Sequence, residues 1–275
     1  MTPGAIISVD KPVQWTSFQV VNKLKWHFRR TFGMKKVKIG HAGTLDPLAS
    51  GLMLVCVGSA TKQIEQLQAG IKEYSGTMVI GATTPCYDLE QPVNCLFPYQ
   101  HVTQQLAEAV SGQFIGEIEQ IPPLFSAVKI DGKRAYLSAR DGTECTLAPK
   151  RVTIHDFRLG SLTTTSGHSA FENSITKNST LPAPQGQNPH LYLNPQGSVP
   201  EGLLEIPFHV TCSKGTYIRS LARDFGLALN SGAFLSSLRR LRIGDYDIRQ
   251  AIPLDQIEKV VTPQNPLFDI FKTNQ

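Results

Sequence analysis

Residues 40–51 read GHAGTLDPLASG. One acid, Asp46, sits among small and apolar residues, five positions after His41. On the residues alone this is a structural pattern. Asp46 precedes Pro47, and an Asp at N-cap with Pro at N1 starts a helical turn over "PLAS". Other chemistries fit poorly. His41 and Asp46 are too few ligands for a metal. The chain has no P-loop and no GxGxxG. It has no Gly-x-Ser-x-Gly elbow, and no second acid stands nearby for a glycosidase-like pair.

Working outward, Leu52 to Val57 (LMLVCV) predicts a buried strand ended by Gly58. Ile6 to Val9 predicts a short strand. TSFQVVNKLKWHF predicts a helix, with capping-box spacing between Thr16 and Gln19 and apolar repeats at Val20, Leu24 and Phe28. Thr61 to Ala69 reads as a helix closed by Gly70 at C′. EYSGTMVIG alternates like a strand, and HVTQQLAEAVSG is helical. An Asp131-Gly132 turn separates a short strand from a short helix. Arg151 to Leu159 is a strand. The segment from Leu203 gives a strand, a Gly215 turn and a helix from about Tyr217, and Leu238 to Asp247 is a last strand. No regular βαβ rhythm or internal repeat emerges. The expected class is α+β, with a mainly antiparallel mixed sheet flanked by helices.

Length and composition agree with a folded domain. The 275 residues are 41% hydrophobic and 18% charged. No apolar run approaches the roughly 20 residues of a membrane helix. The N-terminus lacks a signal-peptide pattern, so a cytoplasmic location is the expectation. Five scattered cysteines without a CxxC pair read as reduced thiols. The net charge is only +5, but it is unevenly placed. Lys23 to Lys38 carries seven positive residues and no acid, and Arg239, Arg240 and Arg242 form a second cluster. Either can follow a phosphate backbone or be a solvated face. Residues 161–200 are rich in Ser, Thr, Asn, Gln, Pro and Gly, which predicts a mobile insertion between two strands.

GHAGTLDPLASGLMLVCVGSATK closely resembles the signature of the TruB family of tRNA pseudouridine synthases. Further pieces match in order: DKPVQWTS (10–17), KEYSGTMVIG (72–81), IPPLFSAVKIDGKRAY (121–136), CSKGTYIRSLARDFG (212–226) and LSSLRRLRIGDY (235–246). The resemblance covers most of residues 4–258, apart from the insertion. It implies the pseudouridine synthase fold, a catalytic domain over 1–258 and a tail over 259–275. It also implies isomerisation of uridine 55 in the T loop of tRNA, without cofactor or metal.

The implied roles attach residue by residue. Asp46 matches the family nucleophile, and one carboxylate suffices because bond cleavage and formation stay within one nucleotide. Arg219 matches the arginine that pairs with it and balances its charge in a partly buried site. Tyr74 matches the aromatic that stacks on the target base, and its phenol can assist proton transfer from C5. Tyr217 and Leu238 match substrate-pocket positions. His41 matches the histidine that enters the T loop and helps extrude the base, a step that costs a few kcal/mol of stacking. Lys11 stands outside the catalytic set.

Some features depart from the family. Many bacterial members carry a C-terminal PUA domain, and too little chain follows residue 253 for one. Phe234 stands where many members have histidine. RNA binding is then expected from the basic run and from residues 121–142, which match the family's RNA-clamping segment. The expected partner is the T arm of tRNA, with no membrane, no required protein partner and a monomeric state. A T-loop-binding tRNA folding chaperone, and the same isomerisation on another structured RNA, stay open as alternatives.

Overall fold

The computed structural model describes residues 4–124, 129–130, 133–134, 147–166, 201–265 and 268. In chain order the strands are β1 (Gly4–Lys11), β2 (Ile39–His41), β3 (Ser50–Gly58), β4 (Lys72–Ile80), β5 (Ala82–Thr83), β6 (Cys95–Leu96), β7 (Gly116–Gln120), β8 (Lys129–Ile130), β9 (Lys133–Arg134), β10 (Lys150–Leu159), β11 (Thr163–Thr164), β12 (Leu204–Cys212), β13 (Ala233–Ile243), β14 (Tyr246–Asp247) and β15 (Ile252–Pro253). The longer helices are α1 (Ser17–Thr31), α2 (Ile64–Ala69), α3 (Gln104–Gly112) and α4 (Ile218–Ala228). The chain divides into two compact units, one of residues 1–75 and 238–275, the other of residues 76–237. β4 and β13 each run from one unit into the other.

The first unit holds β15, β1, β3 and β13 side by side, with β2 on β3 and β14 on β13. β1 and β2 lie antiparallel to β3, whereas β15 joins β1, and β13 joins β3, in parallel. The sheet is therefore mixed. α1 begins as its sequence predicts. Thr16 and Gln19 cap one another reciprocally, Thr16 Oγ1 accepting from the Gln19 amide at 3.1 Å and Gln19 Oε1 from the Thr16 amide at 2.7 Å. Its apolar face buries Val20, Val21, Leu24 and Phe28 against Ile7, Val9, Met53, Val55 and Val57 of β1 and β3. Each such side chain contributes about 1.5–3 kcal/mol, so Phe28→Ala alone costs about 3–5 kcal/mol. Phe268 also packs on Phe28, 6.1 Å between ring centroids.

In the second unit β12, β10 and β7 form an antiparallel ladder, with β11 on the edge of β12. A cluster of aromatic rings fills its interior: Phe157 meets Phe225 edge-on at 5.7 Å and Phe208 at 6.2 Å. Gly226 lets α4 lie directly on the chain after it, since a Cβ there would stand 2.3 Å from the Ala233 amide nitrogen.

Five local expectations change. Asp46 does not cap a helix. The Ala49 amide donates to the Asp46 carbonyl at 3.1 Å, closing a single turn, because β3 already starts at Ser50 and leaves no room for a helical turn. Gly70 ends α2, but at φ −57°, not in the left-handed region. Its smallness serves packing instead: a Cβ would meet Gly244 at 3.1 Å. The last strand is a hairpin, β13 to β14, turning at Gly244 with φ +53°. The arginine cluster after Leu238 is not a free basic patch. Arg240 is buried, Arg239 pairs with Asp10 at 2.6 Å, and Arg242 pairs with Glu73 at 3.0 Å.

β8 and β9 pair antiparallel, Lys129 with Arg134 and Ile130 with Lys133, so a strand and not a helix directly follows the expected turn. Asp131-Gly132 itself and residues 167–200 lie outside the described residues. Cys56, Cys86, Cys95 and Cys212 are buried cysteines outside any disulfide. Burial pushes Cys56 up to about 11. No helix among the described residues is long and apolar enough to cross a membrane.

Candidate active site

The loop that carries Asp46 is held carbonyl by carbonyl. Arg240 donates to the oxygens of Gly43 (3.1 Å) and Thr44 (3.4 Å). Ser17 Oγ donates to Leu45 (3.0 Å), and the Ala49 amide to Asp46 (3.1 Å). Pro47 accepts from the Gln14 amide (2.7 Å) and from Lys11 Nζ (3.3 Å). Five consecutive carbonyls thus have partners inside the first unit. A loop anchored this way keeps few alternative conformations, so its one carboxylate is presented in a fixed place.

The sheet explains why these anchors meet. Lys11 on β1 stands opposite Gly51 on β3, and Gly51 stands beside Arg240 on β13. One row across three strands therefore carries two buried cations, on either side of the strand that leaves the loop. Lys11 also donates to the carbonyls of Pro12 (2.9 Å) and Trp15 (2.6 Å), and Arg240 Nε to Leu52 (2.7 Å). Burying these charges is tolerable because each is hydrogen-bonded to carbonyl oxygen. Gly51 has φ +104°, and a Cβ on it would stand 2.3 Å from the Arg240 carbonyl oxygen. Only glycine serves there.

The other expected residues in this unit lie on neighbouring strands. Asp46 is half-buried. His41 ends β2 opposite Val55 and is also half-buried. Its pKa is lowered, first by burial and then by the Arg240 charge, against a raising hydrogen bond with the Gly43 backbone. A neutral imidazole follows at physiological pH. Leu238 precedes the Arg239–Ser50 pair, which sets it beside the end of the Asp46 loop. Tyr74 is buried on β4, the neighbour of β13.

In the second unit, Arg219 and Tyr217 open α4. Tyr217 is the N-cap residue, and its amide donates to Gln120 Oε1 at 2.8 Å. Ser220 Oγ and Arg223 Nη2 both donate to the Ile121 carbonyl, at 2.8 and 3.0 Å, tying the start of the helix to the end of β7. Arg219 is buried. Nη1 donates to the Cys86 carbonyl at 3.1 Å, and Nε lies 3.6 Å from Asp88 Oδ2. Asp88 is itself buried, with Oδ1 accepting from the Glu90 amide (2.9 Å) and the Cys86 thiol (3.0 Å). Burial and the Asp88 charge push that thiol far up, so it stays neutral and donates.

Sequence reasoning missed Asp88, and it gave Lys11, Arg240 and Ser17 no site role. An acid between Tyr87 and Leu89 was the one available signal for Asp88, and Lys-Pro followed by a helix cap was the signal for Lys11. Among the described residues no group of three or more His, Cys, Asp or Glu is placed to hold a metal ion.

Comparison with known proteins places these residues in a family. Residues 29–179 match the TruB family pseudouridylate synthase N-terminal domain, and residues 219–268 match the tRNA pseudouridylate synthase B C-terminal domain. The tRNA pseudouridine synthase B of Flavobacterium johnsoniae is 44% identical over 265 residues, covering 94% of this chain and 99% of that protein. The protein of the same name from Phocaeicola vulgatus is 43% identical over 261 residues, covering 95% and 94%. Among solved structures, a chain of a Cbf5-Nop10-Gar1 complex is 25% identical with a TM-score of 0.59 over 93% of this chain. This chain spans 54% of that one. A chain of an H/ACA RNP bound to a substrate RNA shares the fold at 23% identity and a TM-score of 0.55. The α+β class and the pseudouridine synthase fold follow.

Proposed function

The chain belongs to the TruB family, and we propose on that basis that it isomerises uridine 55 in the T loop of tRNA to pseudouridine, with Asp46 as nucleophile. The observation that carries this reading is the anchored loop. One carboxylate stands on a backbone whose carbonyls are held from Gly43 to Pro47.

The reaction moves a glycosidic bond within one nucleotide. The N1–C1′ bond breaks, the base turns, a C5–C1′ bond forms, C5 gives up its proton and N1 gains one. The product has the substrate's formula, so no co-reactant enters. Asp46 supplies the covalent partner that separates the two bond changes. Arg219 balances the carboxylate charge, and Tyr74 stacks on the turning base. Tyr217 and Leu238 line the base pocket. His41, neutral by burial, fills the space the flipped uridine leaves in the loop without adding a charge to a stacked environment. Asp88 pairs with Arg219 within the second unit.

We take residues 1–258 as the catalytic domain, acting as a cytoplasmic monomer without an obligatory protein partner. The positive run from Lys23 to Lys38 supplies phosphate contacts that position the T arm. The test is direct. Purified protein is incubated with an unmodified elongator tRNA transcript, and pseudouridine is mapped base by base. Conversion at position 55 and nowhere else supports the reading. Conversion confined to a different structured RNA shifts the substrate, and tight T-loop binding without any conversion makes the protein a folding chaperone.

A further inference from the structure

We propose that the surface hollow at the C-terminal end of α1 is a second contact for the RNA substrate, in which one unpaired nucleotide stacks on Trp26. The proposal rests on the reading of RNA as substrate. It adds a base-binding site distinct from the Asp46 loop and from simple phosphate contacts.

The hollow has a volume of about 460 Å³ and is lined by Trp26, Arg29, Arg30, Gly33, Met34 and Lys35. That volume falls within the range of small-ligand sites, about 300–1,000 Å³. Trp26 is 53% exposed, while the opposite face of α1 already fills the core with Val20, Leu24 and Phe28. The indole is therefore not required for packing. The Arg30 guanidinium lies over its ring, 5.2 Å from the centroid, so one face carries a cation. Gly33 ends the helix with φ +63°, and a Cβ on it would have nothing within 4 Å, which leaves the floor open.

The charges select the occupant. Among the described residues no carboxylate lies within ion-pair distance of Arg29, Arg30 or Lys35. The whole run from Lys23 to Lys38 lacks an acid. A flat aromatic ring set among three cations matches a nucleotide: a base for the ring, phosphates for the charges. A duplex presents phosphates but hides its base faces, so the occupant is an unpaired nucleotide of a loop or end. Stacking tolerates any base, and purines cover more of the indole. The same segment leads directly through Lys35, Lys36 and Lys38 into β2 and His41. A nucleotide held here fixes the RNA next to the chain segment that enters the T loop.

The chain has two tryptophans, so Trp15→Phe leaves Trp26 as the only reporter. The Lys11 bond to residue 15 goes to its backbone carbonyl and survives the change. In that variant, a short oligoadenylate quenches the Trp26 fluorescence saturably. An abasic oligomer with the same number of phosphates binds about ten-fold more weakly. In the otherwise natural protein, Trp26→Ala weakens tRNA binding about ten-fold with the salt slope unchanged, because stacking releases no counterions. Trp26→Phe keeps an aromatic face and recovers most of that loss. Conversion at saturating tRNA stays at the natural rate in both. Equal binding of the abasic and adenylate oligomers, or natural tRNA affinity in Trp26→Ala, overturns the proposal. Failure of the functional reading shows separately, as absent pseudouridine formation by the natural protein.

Discussion

Ser17 and Leu45 exchange two hydrogen bonds: Ser17 Oγ donates to the Leu45 carbonyl at 3.0 Å and accepts from the Leu45 amide at 2.9 Å. The first residue of α1 thereby fixes the residue before Asp46. Ser17→Ala leaves both Leu45 groups without this partner in a buried place. A loss of about 1–3 kcal/mol in stability is expected from denaturant unfolding. Because the change loosens the loop and touches no RNA, the single-turnover rate falls by about ten- to a hundred-fold while tRNA affinity holds. A natural rate in this variant shows that loop anchoring does not contribute to catalysis.

Arg219 and Asp88 form a buried pair, 3.6 Å apart, with the side chains only 6% and 7% exposed. Removing one charge leaves the other buried without this ion pair. Arg219→Met is therefore expected to destabilise the protein by about 3–5 kcal/mol as well as slow the chemistry. Adding Asp88→Asn removes the remaining buried charge. The double variant regains most of the stability and none of the rate. Recovery of both makes Arg219 structural only.

His41 gives a signature in pH. Its folded pKa lies below the ordinary value of about 6.5, mainly through burial. Above that value both states are neutral and the group contributes no pH dependence. As pH falls from about 6.5 towards the folded pKa, the unfolded chain takes up the proton first and stability drops. Below the folded pKa the loss levels off. His41→Gln cannot titrate, so the difference between its unfolding curve and the natural one opens only below about pH 6.5. A constant difference across pH contradicts the assignment.

The positive run makes binding salt-dependent. Neutralising Arg29, Arg30, Lys35 and Lys36 together flattens the log–log salt slope of tRNA binding by about one unit for each phosphate that the variant no longer neutralises. Conversion at saturating tRNA changes little, because these residues position the RNA and do not touch the target base. An unchanged slope assigns the grip to residues 121–142 instead.

What could be read in advance divides by distance along the chain. The Thr16–Gln19 cap spans three residues and was legible, as were α3 and the buried run of β3. Asp46 reads as a helix cap from local propensity, which carries no sign that the strand begins at Ser50. The arginines after Leu238 read as a phosphate-binding or solvated cluster because sequence does not show that Arg240 reaches back 197 positions to Gly43. Lys11, Arg240 and Asp88 each have a partner far along the chain: Pro47, Gly43 and Arg219. Only the sheet register makes Lys11, Gly51 and Arg240 a row. Asp46 itself was legible through the family motif and not through its own surroundings.

As the nucleophile, Asp46 does the chemistry and nothing else replaces it. The decisive measurement is single-turnover pseudouridine formation at tRNA position 55 by purified Asp46→Asn, alongside its tRNA affinity. The substitution keeps the shape of the loop and leaves the hydrogen bonds of its carbonyls in place. No detectable pseudouridine is expected, with affinity within about two-fold of the natural protein, since phosphate contacts carry most of the binding. Pseudouridine accumulating in the Asp46→Asn reaction would contradict it.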